Sequence, residues 1–298
     1  MAARKPVPAP RASRPAPRGE TAARPKTWAG ALLGARESQQ DTSLLEDLSD
    51  GTELLALVAD GMGGHAAGAL ASQTVAKRFA AAFLRLRSDP AGLGAALRRA
   101  LDEANLSVAE AQHGHPDRSG MGTTLIAAHV SPRGLAWISV GDSVLLLCRA
   151  GTIRRLNEDH SLRSLPGFTG GRQGNLLRSA ITGDELALVD CSPEPLRLEA
   201  GDTLVLASDG LLTLSGDEIL DLVGKHSADG PEALGAALIE AVNRRQDPKQ
   251  DNCSVVTVGG FAAPPPPPVP PSRAGLRLLL PLAIVLVLVC AAAAALVW

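Results

Sequence analysis

Six short apolar runs punctuate the middle of the chain: Glu53 to Ala59 (ELLALVA), Thr124 to Val130, Leu135 to Val140, Val144 to Arg149, Thr203 to Ala207 and Ser254 to Val258. Runs this short, bounded by turn-forming residues, predict strands. Between them the period changes. Val75, Phe79, Phe83 and Leu86 recur at helical spacing, as do Leu97, Leu101, Ala104 and Val108, which predicts two adjacent amphipathic helices. Ser215 and Glu218 form a capping-box pattern ahead of Ile219, Leu222 and Val223, and Pro231 suits the first turn of a fourth helix. Grouped strands with paired helices predict a mixed, mainly antiparallel sheet covered by helices.

The two ends carry no such pattern. Residues 1–27 are rich in Ala, Pro and Arg, and six prolines rule out a continuous helix, so the segment is expected to be a disordered basic arm. It has no apolar core of a secretory signal; it reads as a solvated tail or as an arm for anionic lipid or a partner. The expected folded domain, 28–261, is followed by a proline-rich linker, 262–275, in which Pro264 to Pro268, Pro270 and Pro271 form a stiff extended tether. Leu276 to Trp298 is apolar except for Arg277 and as a helix would extend about 34 Å, enough to span a bilayer, a buried helix being the alternative. Arg273 and Arg277 precede the span and no charge follows it. The positive-inside rule thus predicts a single-pass C-terminal anchor with the domain in the cytoplasm.

Charge sharpens this division. The chain is −2 overall, but seven basic residues against Glu20 make 1–27 +6, and with Arg273 and Arg277 set aside 28–272 carries −10. An acidic body argues against nucleic acid as a partner and suits a domain that gathers carboxylates around cations. With no Tyr and 2% aromatic residues the core must be aliphatic. Cys148, Cys191, Cys253 and Cys290 show no metal or disulfide spacing and read as small buried hydrophobes.

Aspartates fall where the strands end. Asp60 closes LLALVA, Asp142 follows AWISVG, Asp209 follows TLVLAS, and Asp251 opens NCSVVTV. Any one could simply stop a strand. Four together, three of them followed by Gly or Ser, suit hard divalent cations such as Mg²⁺ or Mn²⁺, which take oxygen ligands and offset carboxylate repulsion.

The stretch Val58-Ala59-Asp60-Gly61-Met62-Gly63-Gly64-His65 resembles the signature of the PPM (type 2C) metal-dependent protein phosphatases in their bacterial form. Arg36-Glu37-Ser38-Gln39-Gln40-Asp41, Gly120 to Thr124, Ile138 to Ser143, Ala207 to Gly210 and Asp251-Asn252 follow in the family's order. The resemblance implies an α+β fold, an αββα sandwich of two mainly antiparallel sheets flanked by helices, with two Mn²⁺ or Mg²⁺ ions at one end. It makes Asp60 the bridging ligand, gives one ion the carbonyl of Gly61 and the other Asp209 and Asp251, and has Asp41 act through metal-bound water. Asn252 supports the site. Arg36 becomes a phosphate clamp with two parallel donors. The implied reaction is hydrolysis of phosphoserine and phosphothreonine by a metal-bridging water, opposing bacterial Ser/Thr kinases, a membrane kinase among the expected partners.

Departures from the family pattern are specific. Gln39 replaces an Asn, and Met62 stands where eukaryotic relatives have a histidine that protonates the leaving group. Protonation must then come from water or another group, with His65 either a candidate acid or a structural residue beside a glycine turn. Asp142 is the expected ligand of a third ion, weakened because Thr213 replaces a carboxylate. Residues 164–174, rich in Gly and Arg, take the place of the family's mobile flap, shaping substrate access or serving as a solvated loop. The competing readings are a catalytically silent binding module, disfavoured by the intact Asp60, Asp209 and Asp251, and a phosphatase of anti-sigma antagonists, disfavoured by Arg36.

Overall fold

A computed structural model describes residues 24–49, 51–169 and 174–261. Two antiparallel sheets organise them. In the first, the order is β1 (Lys26–Leu32), β11 (Cys253–Gly259), β10 (Thr203–Ala207), β7 (Val144–Arg149) and β8 (Thr152–Arg155). In the second it is β2 (Asp41–Asp47), β3 (Leu54–Met62), β5 (Leu125–Ser131), β6 (Gly134–Val140) and β9 (Asp190–Cys191), with the short β4 (Gly122–Thr123) pairing the end of β3. Helices α1 (His65–Leu86) and α2 (Leu93–Gln112) cover the second sheet, and α3 (Gly216–His226) and α4 (Pro231–Arg244) the first. This is the αββα sandwich expected.

The central strands read as continuous apolar runs because both of their faces are buried. In β3, Leu55, Leu57 and Ala59 pack towards α1 and α2, while Leu54, Ala56 and Val58 pack into the layer between the sheets. β7 divides in the same way, with Val144, Leu146 and Cys148 under α3 and α4 and Leu145 and Leu147 between the sheets. Three cores therefore stack, and the inter-sheet one is entirely aliphatic among its fully buried members. The capping box at α3 forms as expected: the Ser215 hydroxyl accepts from the Glu218 amide and the Glu218 carboxylate accepts from the Ser215 amide.

Two differences from the sequence reading have physical causes. β1 begins at Lys26, inside the expected arm, because Lys26 and Thr27 complete the ladder along β11 opposite Gly259 and Val258. Neither β1 nor β2 was predicted; both are edge strands whose residues, Asp41 apart, are half-buried or exposed, so they lack a continuous apolar signal. The linker at 262–275 and the span at 276–298 lie outside the described residues, as do most of the arm and residues 170–173 of the flap region. Among the described residues no helix is long and apolar enough to cross a membrane.

Trp28 ties β1 to the core, its indole lying over the two positions where side chains are missing, Gly30 and Gly235. Trp28→Ala is expected to cost about 2 kcal/mol, less than a fully buried indole because its edge meets solvent; urea denaturation followed by far-UV dichroism measures it.

Candidate metal centre

The antiparallel register brings the motif aspartates to one end of the sandwich. Asp41 opens β2 directly opposite Asp60 in β3. Asp142 lies in the turn from β6 to β7, Asp209 follows β10, and Asp251 precedes β11, whose start lies beside the end of β10. Side-chain alternation puts Asp60 on the same face as Val58, at the mouth of the inter-sheet layer. Like charges directly opposite on paired strands are destabilising, so the Asp41 and Asp60 pair does not serve strand stability.

Hydrogen bonds fix the backbone that carries these groups. The amide of Asp60 donates to the Thr124 hydroxyl at 3.0 Å, and its carbonyl accepts from the Thr123 hydroxyl at 2.8 Å and the Thr124 amide at 2.9 Å. Thr124 in turn shares a hydrogen bond with Ser143 at 2.8 Å, coupling β3 to the turn that holds Asp142. A Cβ at Gly61 would stand 2.1 Å from the carbonyl oxygen of Gly68 in α1, so only glycine lets the helix approach there.

Asp41 is buried, its Oδ2 accepting from the Ser208 hydroxyl at 2.7 Å, while Ser208 accepts from the Ser254 amide at 2.9 Å. Among the described residues its Oδ1 has no hydrogen-bond partner. Gln39 preserves the local turn despite its extra methylene, because its Oε1 accepts from the Asp41 amide at 2.9 Å.

The loop bearing Arg36 is clamped to the segment before β11. The Ala35 amide donates to the Gln250 carbonyl at 2.8 Å. Asn252 donates to the Leu33 carbonyl and accepts from the Gln40 amide, both at 2.8 Å. Gly34 takes φ +65° against the carbonyl oxygens of Gln250 and Asp251. Arg36, half exposed, thereby pairs with Asp251 at 2.5 Å.

Burial is the first cause of the site's unusual acidity, and mutual repulsion adds to it. Asp41 is pushed up to about 6, by burial and by the charges of Asp209 and Asp251 against the opposing Ser208 and Ser254 hydrogen bonds. Asp60 is held well above the carboxylate range by burial and then by Asp41, Asp209, Asp251 and Asp142. Asp142 rises to about 7 and Asp209 rises too, both chiefly by burial, with Arg163 opposing each shift. Among the described residues no three acidic, His or Cys side chains already stand at ligand spacing around one point. What the chain supplies is an all-oxygen donor set under mutual repulsion, with an orphaned buried carboxylate oxygen. That chemistry fits hard divalent cations.

Sequence reasoning identified the aspartates, Arg36 and Asn252, but not the groups that orient them. Ser208 sits inside the recognised Ala207-Ser208-Asp209-Gly210 motif, and Thr124 inside the Gly120 to Thr124 motif, so both were within reach. Thr213 turns its hydroxyl to Gln250 Oε1 at 2.7 Å. His65 opens α1. The Met62 backbone pairs with Gly122 of β4.

The family model for protein phosphatase 2C matches residues 34–227. The serine/threonine protein phosphatase PstP of Mycobacterium tuberculosis is 36% identical over 219 residues, covering 69% of this chain, which spans 40% of that relative's length. The serine/threonine phosphatase stp of Listeria welshimeri is 32% identical over 171 residues, covering 54% of this chain and 67% of the relative. The catalytic domain of PstP, solved in complex with two manganese ions, superposes with a TM-score of 0.62 at 30% identity over 79% of this chain and 97% of that one.

A raised carboxyl stabilises the fold fully below its unfolded value near 4, and that contribution is lost as pH rises through its folded value. For Asp41 and Asp142 the loss falls at about 6 and about 7. Thermal melts in chelator are expected to drop steadily from about pH 5 to pH 8, with Asp41→Asn flattening the lower part of the slope. Mn²⁺ added at the upper end restores the melting temperature. A chelated melting temperature independent of pH would contradict this electrostatic picture.

Proposed function

The chain belongs to the protein phosphatase 2C family, and on that premise we propose that it is a Mn²⁺- or Mg²⁺-dependent protein phosphatase acting on phosphoserine and phosphothreonine. The observation that carries the reading is the mouth itself, where Asp41 faces Asp60 across paired strands and Asp142, Asp209 and Asp251 add their charge. The two manganese ions of the PstP catalytic domain support a two-ion assignment here. Asp60, the Gly61 carbonyl, Asp209 and Asp251 would hold the ions, and Asp41 would act on their water. When bound, the ions supply a water acidified towards hydroxide.

The chain's own groups do the rest. Arg36 exchanges Asp251 for two phosphate oxygens and orients the phosphoryl group so that the bond to the seryl or threonyl oxygen is in line with the attack. Ser208 keeps Asp41 aimed, and the Thr123 and Thr124 bonds keep Asp60 from swinging with its charge.

The test is hydrolysis of a phosphothreonine peptide by the full chain. Turnover is expected with Mn²⁺ and not with chelator. Asp209→Asn should lower kcat/KM at least about a hundredfold, and Arg36→Ala should weaken it about tenfold, mainly through KM. No turnover at millimolar Mn²⁺ sinks the reading.

We further propose that residues 276–298 anchor the domain to the cytoplasmic face of a membrane, where it would meet phosphoproteins made by membrane Ser/Thr kinases. Hydrophobic length, the proline tether, and Arg273 and Arg277 before the span support this. The full chain should sediment with membranes while a chain ending at 261 stays in the supernatant; equal partitioning would remove the anchor and the kinase pairing built on it.

A further inference from the structure

Asp142 does not offer a free carboxylate. It is 5% exposed, and its Oδ2 receives Nη2 of Arg163 at 3.2 Å. Arg163 Nε also lies 3.7 Å from Asp159 Oδ2. Asp159 is held in place by Arg155 at 3.3 Å and by the Ser161 amide at 2.8 Å. Arg155 in addition donates to the Asp142 carbonyl at 3.0 Å and the Ser143 carbonyl at 3.3 Å, fixing the turn. Two guanidinium groups and two carboxylates thus alternate, leaving no net charge for a further cation to neutralise.

Thr213, at the position where the resemblance implies a carboxylate for a third ion, is committed as well: its hydroxyl donates to Gln250. Gln250 is in turn committed to the carbonyls of Gly210 and Asp251, at 3.2 and 3.1 Å. The guanidinium therefore occupies the carboxylate that a third ion would need.

We infer that Arg163 is a resident cation standing in for a third metal ion, so that this chain binds two ions and not the weaker third for which the resemblance left room. The inference rests on the two-ion reading above. Arg163 is then a positioning residue: it pairs with Asp142, and that ion pair carries the 3₁₀ turn Leu162–Ser164 against the mouth. A third ion would have to expel a bidentate-capable donor from a nearly buried partner and bind with one carboxylate too few.

Ion counting on the full chain tests this. Mn²⁺ titration by calorimetry, with free Mn²⁺ followed by electron paramagnetic resonance, should give two ions for the wild type. Arg163→Met should add a third, at least about tenfold tighter than any third ion in the wild type. Adding Asp142→Asn to that variant should abolish it. Unchanged stoichiometry and affinity in Arg163→Met overturn the inference. If that variant does not fold, anomalous diffraction from wild-type crystals soaked in Mn²⁺ decides: Arg163 on Asp142 with two ions upholds it, and a third ion on Asp142 with Arg163 displaced overturns it. A wild type that holds no tight ion overturns the two-ion reading and this inference with it.

Discussion

Everything at the mouth of the sandwich depends on one unfavourable contact, the pairing of Asp41 with Asp60 on adjacent strands. Two carboxylates placed opposite one another repel, and burial raises the cost of ionising either. The arrangement survives because the strands beneath it are held on both faces. Val58 and Ala59, next to Asp60, belong to two different cores, so the strand cannot relax towards either sheet face without exposing aliphatic surface. Rigidity comes from packing, and the charge is imposed on top of it.

The hydrogen bonds around the site then have a common purpose. Thr123 and Thr124 hold the Asp60 backbone, Ser208 holds one oxygen of Asp41 and leaves the other without a partner, and Asn252 bridges the loop of Arg36 to the start of β11. Each fixes a main chain or one lone pair while sparing the rest for something outside the protein. A structural cluster would be expected to satisfy itself more completely. Around Asp142 it does, and there the chain has supplied its own cation.

Much of this was legible in the sequence, for reasons that can be named. The strands buried on both faces announced themselves as unbroken apolar runs, and the aspartates stood out because they interrupt those runs at their ends. Edge strands did not, since Lys26–Leu32 and Asp41–Asp47 mix polar and apolar residues and are defined by the partner they pair with. Gln39 was legible as a departure from the first motif, but not that its side-chain oxygen accepts from the Asp41 amide. Arg163 was invisible as a functional residue, because a basic residue at the edge of a Gly- and Arg-rich loop reads as solvated until the turn after β6 is seen to lie against it.

The register of β1 along β11 sets Lys26 opposite Gly259 and Leu32 opposite Cys253. The chain thus enters and leaves its folded part at neighbouring points, and both lie a strand's length, about 20 Å, from the acidic mouth. A domain held at either end of its described part, near Lys26 or Gly259, is held at the pole opposite the acidic mouth. Joining the two ends with a few residues would close the polypeptide into a ring without crossing the approach to the site, and new termini could be cut elsewhere on the surface with the order of the strands intact.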